Sequence, residues 1–180
     1  MSLFSLLDQA ATRFPDRGAV FRGTEQVSTW AELRARALGL AGAIRASRGP
    51  GTRVAVATEN CPEIVELMFG IWAAECVFVP LNYKLHPREM ADILTDSGAD
   101  LVFASEKIGA ALEPVTDLPR TVIGSDSYAA LLDSAPWPPA DIDPAALAWL
   151  FYTSGTTGRS KGAMLSHRNL MAMTVSHLAD

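Results

Sequence analysis

Cysteine is scarce in this chain. Cys61 and Cys76 are the only two in 180 residues, too few for a disulfide framework and, with three histidines, too few for a zinc site. They read as reduced thiols, which points to a cytoplasmic protein. Positive charge is also short: 15 Lys and Arg against 20 Asp and Glu give a formal net charge of −5. No basic field is available to hold a nucleic-acid backbone, so nucleic acid is not an expected partner, and an anion can be bound only at a local, shaped site. Long apolar runs are missing too. The longest candidate, Met68 to Leu81, is broken by Glu75 and Pro80 and falls short of the roughly 18 residues of a membrane helix. The N-terminus lacks a basic segment, and Asp8 interrupts its apolar run, so it does not read as a signal peptide. Internal repeats and low-complexity tracts are absent. What remains is 49% hydrophobic and 19% charged, enough to bury the core of one domain or of a large piece of one.

Periodicity then orders the chain. Leu3, Leu6, Leu7, Ala10, Ala11 and Phe14 share a helical face that ends at Pro15. A short strand follows over Ala19–Arg22, with a turn at Gly23. Thr29-Trp-Ala-Glu32 is a capping box that opens a long helix to about Ser47, where Gly49-Pro-Gly51 stops it. Arg53–Thr58 is strand-like, Pro62 begins a helix to about Ala74, and Cys76–Pro80 is the next strand. Pro87 starts a helix that Gly98 ends, Leu101–Ala104 is a further strand, and weaker signals run to Leu132. The apolar runs alternate with helices and lack a clean period of two. That predicts an α/β fold: a doubly wound, mostly parallel sheet with helices on both faces. Residues 134–144 (SAPWPPADIDP) form a proline-rich connector that Trp137 packs down. The predicted boundary lies there, with a first subdomain over 1–143 and the start of the next over 144–180.

The chemistry concentrates after the strand-like run Leu147–Thr153. Residues 153–162 read Thr-Ser-Gly-Thr-Thr-Gly-Arg-Ser-Lys-Gly, with no apolar side chain. Glycine lets backbone N–H groups approach an anion, hydroxyls donate to phosphate oxygens or ligate magnesium, and Lys161 adds a mobile cation. The spacing is not that of a Walker A loop. Gly155 and Gly158 are three apart, Lys161 lies three further on, and Gly162–Ser166 reads as a strand where that motif requires a helix. The loop therefore joins two strands and has no helix dipole of its own. By composition alone, a flexible Gly/Ser/Thr hairpin loop fits equally well.

The longer segment Tyr152-Thr-Ser-Gly-Thr-Thr-Gly-Arg-Ser-Lys-Gly-Ala-Met-Leu-Ser-His-Arg-Asn-Leu170 resembles the signature loop of the adenylate-forming superfamily, which includes acyl-CoA synthetases, luciferases and adenylation domains of nonribosomal peptide synthetases. Leu7–Ala11, Thr29–Leu33, Gly51–Ala55, Asn60–Glu63, Val79–Tyr83 and Ile93–Gly98 fall where such enzymes have similar stretches, so the resemblance covers essentially the whole chain. One departure is Ser160, where the family most often has proline. A proline would stiffen the loop.

The resemblance implies ATP-dependent activation of a small-molecule carboxylate, fatty or aryl, to an acyl-adenylate. Transfer to the thiol of coenzyme A follows, with release of AMP and pyrophosphate. It assigns Thr153, Ser154, Gly155, Thr156, Thr157, Gly158 and Lys161 to the ATP phosphates, gives Thr156 a contact to Mg2+, and gives Lys161 the stabilisation of the leaving group. Asn82, where peptide-synthetase domains more often have Asp, and the opening at Met1 favour a free-standing acyl- or aryl-CoA ligase. The alternatives are an adenylating enzyme that loads a carrier protein, and a truncated, non-catalytic binding protein. No Tyr-Gly-x-Thr-Glu-like or Thr-Gly-Asp-like segment is present, nor a C-terminal small domain. The resemblance thus implies an incomplete large N-terminal domain, inactive alone, with strand edges exposed to aggregation.

Several other residues invite a role and are read as structural. His167 is expected to cap or pack, and His86 to start a helix. Trp30, Trp72 and Trp149 are expected in the core, and Arg159 on variable surface. The pairs Glu63/Glu66 and Asp92/Asp96 mimic catalytic carboxylates but are expected on solvated helix faces.

Overall fold

A computed structural model describes residues 2–153 and 160–179, with side chains described as far as His177. The N-terminal helix α1 (Phe4–Arg13) leads into a two-stranded antiparallel hairpin, β1 (Gly18–Arg22) and β2 (Glu25–Thr29), turned at Gly23 with φ +63°. The second arm was not anticipated. Its sequence, Glu-Gln-Val-Ser-Thr, is exposed over its first three residues and carries no buried stripe. The Thr29–Glu32 capping box forms as expected: Glu32 N donates to Thr29 Oγ1 at 3.2 Å, and Thr29 N donates to Glu32 Oε2 at 2.8 Å. It opens α2 (Trp30–Arg45).

The remaining strands are β3 (Arg53–Ala57), β4 (Val77–Leu81), β5 (Ala99–Ala104), β6 (Arg120–Val122), β7 (Leu147–Thr153) and β8 (Lys161–Ser166). They form one six-stranded sheet in the order β6-β5-β3-β4-β7-β8. Every pairing is parallel except β7 with β8. The connecting helices are α3 (Glu63–Ala73), α4 (Pro87–Ser97), α5 (Glu106–Leu112) and α6 (Asp126–Leu132). The chain closes with α7 (His167–Ala179). Residues 105–132, where periodicity was weak, thus hold a short strand between two seven-residue helices.

Alternation along β3 explains why the sheet is covered twice. Val54 and Val56 face a core built with α1, α2, α3 and α6, while Ala55 and Ala57 face a second core built with α4 and α5. The expected doubly wound, mostly parallel architecture is therefore present. Strand β3 is the switch point, with β4 on one side and β5 on the other. The connector docks on α2 through glycine. A Cβ on Gly39 would sit 1.9 Å from the Leu132 carbonyl oxygen, and one on Gly42 1.9 Å from that of Ala135. Trp137 pins the segment as expected. Its N–H donates to Leu38 O at 3.0 Å, and its ring lies 4.8 Å beneath the Arg45 guanidinium. Trp72 is buried, with Nε1 donating to Ala148 O at 2.9 Å, and stacks edge-on with Phe69 and Phe78. Trp149 is half-buried against it, and Trp30 packs at the core margin. No described helix is long and apolar enough to cross a membrane.

Candidate functional site

In a doubly wound sheet, ligand sites form beyond the carboxyl ends of the parallel strands. Strand β7 runs parallel to β4, so its end at Thr153 points the same way as the ends of β3, β4 and β5. The chain returns at Lys161 as β8. The two strands pair from Leu147 opposite Ser166, shift register before Trp149, and continue without a further shift out to Thr153 opposite Lys161. The expectation that the signature loop joins two strands holds. Two of its assigned residues, Thr153 and Lys161, are brought face to face at the mouth of a hairpin, and both are exposed. Among the described residues, no carboxylate lies within ion-pair distance of Lys161. The hydroxyls and glycines assigned to phosphate and magnesium, Ser154, Gly155, Thr156, Thr157 and Gly158, lie outside the described residues, as does Arg159. No group of three or more His, Cys, Asp or Glu side chains able to hold a metal is found among the described residues.

The hairpin mouth is tied to the body by a side chain that sequence reasoning passed over. Tyr152 Oη donates to Asp96 Oδ2 on α4 at 2.7 Å, across 56 positions. Burial, reinforced by the carboxylate that accepts its proton, pushes the Tyr152 hydroxyl pKa above the ordinary value of 10.0. The Asp92/Asp96 face of α4 is exposed, as expected. It borders an open cleft of about 350 Å3 that also receives Tyr152 and Ser160.

The other carboxylate pair requires a correction. Glu66 is not on a solvated face: it is 5% exposed, and α3 turns it inward with Gly70 and Ala73. It accepts from Arg36 Nε and, at 2.9 Å, from Arg36 Nη2, and Tyr128 Oη donates to its Oε1 at 2.6 Å. Burial, with Glu66 beside it, raises the Tyr128 hydroxyl pKa far above the ordinary value. The i, i+4, i+7 spacing of Glu66, Gly70 and Ala73 was the available signal that this carboxylate belongs to the buried stripe. Every oxygen of Glu66 has a partner, so the group ties α2, α3 and α6 together and is not free to do acid–base work. Glu63 sits at the rim, half-buried.

The histidines behave as expected. His86 caps α4, with Nδ1 accepting from Arg88 N at 3.2 Å while its own N–H donates to Glu89 Oε2 at 2.9 Å. His167 is 1% exposed, and its Nδ1 accepts from Leu3 N at 3.3 Å. Burial, with the N-terminal charge adding to it, lowers its pKa from the usual 6.5, and the ring joins the N-terminus to the start of α7.

Known proteins place this arrangement. Residues 7–180 match the family described as AMP-binding enzyme. The feruloyl-CoA synthase of Amycolatopsis sp is 37% identical over 153 residues, which is 84% of this chain and 31% of that protein. The fatty acid–[acyl-carrier-protein] ligase ScoC of Streptomyces coeruleorubidus is 34% identical over 152 residues, 81% of this chain and 29% of that protein. The chain thus spans about a third of the length of these curated relatives. Among solved structures, VinN in complex with 3-methylaspartate superposes with a TM-score of 0.87 at 26% identity, covering 99% of this chain and 50% of that one. A putative long-chain-fatty-acid CoA ligase from Rhodopseudomonas palustris CGA009 does so with a TM-score of 0.85 at 27% identity, covering 99% of this chain and 48% of that one. The parallel sheet, the strand–loop–strand hairpin at its carboxyl end and the match over residues 7–180 lead to one conclusion: the chain belongs to the AMP-binding enzyme family of adenylate-forming enzymes.

Proposed function

We propose that this chain supplies the phosphate side of the active site of a carboxylate–CoA ligase that works through an acyl-adenylate. The observation that carries the reading is the hairpin mouth, where Lys161 stands opposite Thr153 at the two ends of a loop of glycines and hydroxyls. In this reading a carboxylate attacks the α-phosphorus of ATP, the bond to the pyrophosphate oxygen breaks, and the acyl-adenylate forms. A thiol then attacks the acyl carbon and AMP departs. Residues 153–158 offer N–H and O–H donors to the phosphates, and Lys161 balances the charge that builds on pyrophosphate as it leaves. Magnesium, when bound with the nucleotide, neutralises part of the same charge, and Thr156 is assigned to it. The subdomain division at 143/144 belongs to the same reading: the connector ends where the strand that carries the loop begins.

Coenzyme A is the proposed thiol because the feruloyl-CoA synthase is the more similar of the two relatives described. A second reading, transfer to a carrier-protein thiol, is supported by the likeness to ScoC, whose name assigns it an acyl-carrier-protein substrate. The test uses protein expressed from the complete open reading frame, with a panel of aryl and fatty acids. Carboxylate-dependent exchange of pyrophosphate into ATP is the expected result, followed by thioester formation on coenzyme A. Exchange with thioester only on a holo-carrier protein selects the second reading. No exchange with any acid refutes both.

A further inference from the structure

The hairpin that carries the signature loop is poorly held by the sheet at its loop end. The parallel ladder between β4 and β7 is at Phe78 opposite Trp149, so Phe151, Tyr152 and Thr153 have β8 alone as strand partner. Phe151 is 47% exposed, and β8 is exposed from Lys161 to Met164. Main-chain pairing thus holds β7 to the domain at Trp149, and beyond that point it joins the two arms to each other. Tyr152 makes the connection. Its ring packs against the core beneath α4, and its hydroxyl donates to Asp96 at 2.7 Å. The ring is also seated from the other arm. Gly162 lies opposite Tyr152 in register, and a Cβ there would come within 2.9 Å of the ring at Cζ. The absent side chain of Gly162 thus makes room for the phenol on its path to Asp96. One residue further along each arm stand Thr153 and Lys161.

We propose that Tyr152 and Asp96 are positioning residues of the adenylation reaction, with Gly162 as the seat of the ring. Their hydrogen bond locks the hairpin mouth onto α4 and so sets where Thr153 and Lys161 stand toward the nucleotide phosphates. The proposal rests on the functional reading above. Neither side chain touches substrate in it. Both act through the aim of the hairpin, and a displacement of about 1 Å at a site of charge development lowers rates by up to about 100-fold.

The test uses protein from the complete open reading frame and reads KM for MgATP and kcat separately, in pyrophosphate exchange, beside Tm. Tyr152→Phe keeps the packing and loses the bond. Asp96→Ala removes the acceptor, and Asp96→Asn keeps an acceptor oxygen. We expect Tyr152→Phe and Asp96→Ala to lower kcat/KM for MgATP by about fivefold or more, Asp96→Asn to recover much of the loss, and Tm to move by no more than about 3 °C. Gly162→Ala, which drives the ring off its seat, is expected to match Tyr152→Phe. A lowered Tm with wild-type KM and kcat in the folded enzyme makes the bond merely structural and overturns the proposal. So do wild-type kinetics in both Tyr152→Phe and Asp96→Ala while Lys161→Ala is impaired. No exchange by the wild-type enzyme with any acid overturns the functional reading itself, and the proposal with it.

Discussion

Removing the Glu66 carboxylate should destabilise the chain more than any other single change at a carboxylate described above. The magnitude follows from how unequally its partners are exposed. The Glu66 side chain is 7% exposed and that of Arg36 is 44%. Breaking a buried ion pair commonly costs about 3–5 kcal/mol because the surviving charge is stranded. Here the surviving guanidinium can turn to water, so that part is small. Tyr128 cannot: it is 2% exposed, and its hydroxyl loses its acceptor, at about 1–3 kcal/mol. With the space left by the side chain, Glu66→Ala should lose about 3 kcal/mol. For a chain of this size that is a fall in Tm of roughly 6–12 °C. Glu66→Gln keeps the volume and one acceptor and should lose about half as much. The double variant Glu66→Ala/Tyr128→Phe has no orphaned hydroxyl, so its loss should be smaller than the sum of the two single losses. Urea unfolding followed by tryptophan fluorescence measures these three and the single variant Tyr128→Phe. Losses within about 0.5 kcal/mol of wild type for both Glu66 variants, or strict additivity in the double, would refute the view that this network is desolvated and shared.

Three further outcomes are expected. Gly42→Ala forces the connector off α2 and should cost about 1–3 kcal/mol in the same unfolding assay, whereas Gly49→Ala, which meets nothing within 4 Å, should be neutral. His167 has a folded-state pKa below 6.5, so the unfolded chain takes up a proton the folded chain refuses. Stability should fall as pH drops below about 6.5, by at most about 1.4 kcal/mol per pH unit, and His167→Gln should flatten that slope. Burial pushes the Cys76 thiol up to about 12 and also raises that of the half-buried Cys61. Iodoacetamide at pH 8 should therefore alkylate Cys61 ahead of Cys76 in the native chain, and peptide mass spectrometry showing the reverse order would contradict the burial.

These predictions separate what local sequence reveals from what it hides. Capping boxes, helix stops and the strand–helix alternation are local, and Thr29–Glu32, Pro87, Gly98 and the β3-α3-β4-α4-β5 order were all legible. Strand β2 was hidden because its residues are polar and exposed, so pairing with β1 alone makes it a strand. The hairpin around the loop and its family were legible because the residues that carry them are contiguous. The hairpin's support was not: Tyr152 reads as one more strand residue until Asp96, 56 positions earlier, is brought to its hydroxyl by the packing of α4. Glu66 was misjudged because its charge was weighed above its position. An acidic residue on a helix is usually solvated, and only the arrival of Arg36 from α2 and Tyr128 from α6 makes the interior tolerable for it.

The strand that follows the signature loop also bears on how much Lys161 must contribute. In a loop that runs into a helix, the helix N-terminus brings roughly half a positive charge to the phosphates. Here Lys161 begins β8, and α7 starts only at His167, whose backbone N–H is already given to Ala146 O at 3.1 Å and whose ring is buried against Leu3. The helix that follows the hairpin thus offers the phosphates no free N-terminal N–H at His167 or Arg168, and Lys161 is the cation that the described hairpin residues place at the mouth. A unit pair at 4 Å contributes about 1 kcal/mol in water and about 4 kcal/mol at an effective dielectric near 20. A loop closed over pyrophosphate lies between those limits. Lys161→Ala should therefore slow pyrophosphate exchange at least tenfold, which corresponds to about 1.4 kcal/mol. Lys161→Arg should recover part of it, since charge matters here more than shape. Exchange at the wild-type rate in Lys161→Ala would show that the loop's uncharged donors suffice, and would remove the lysine from the mechanism.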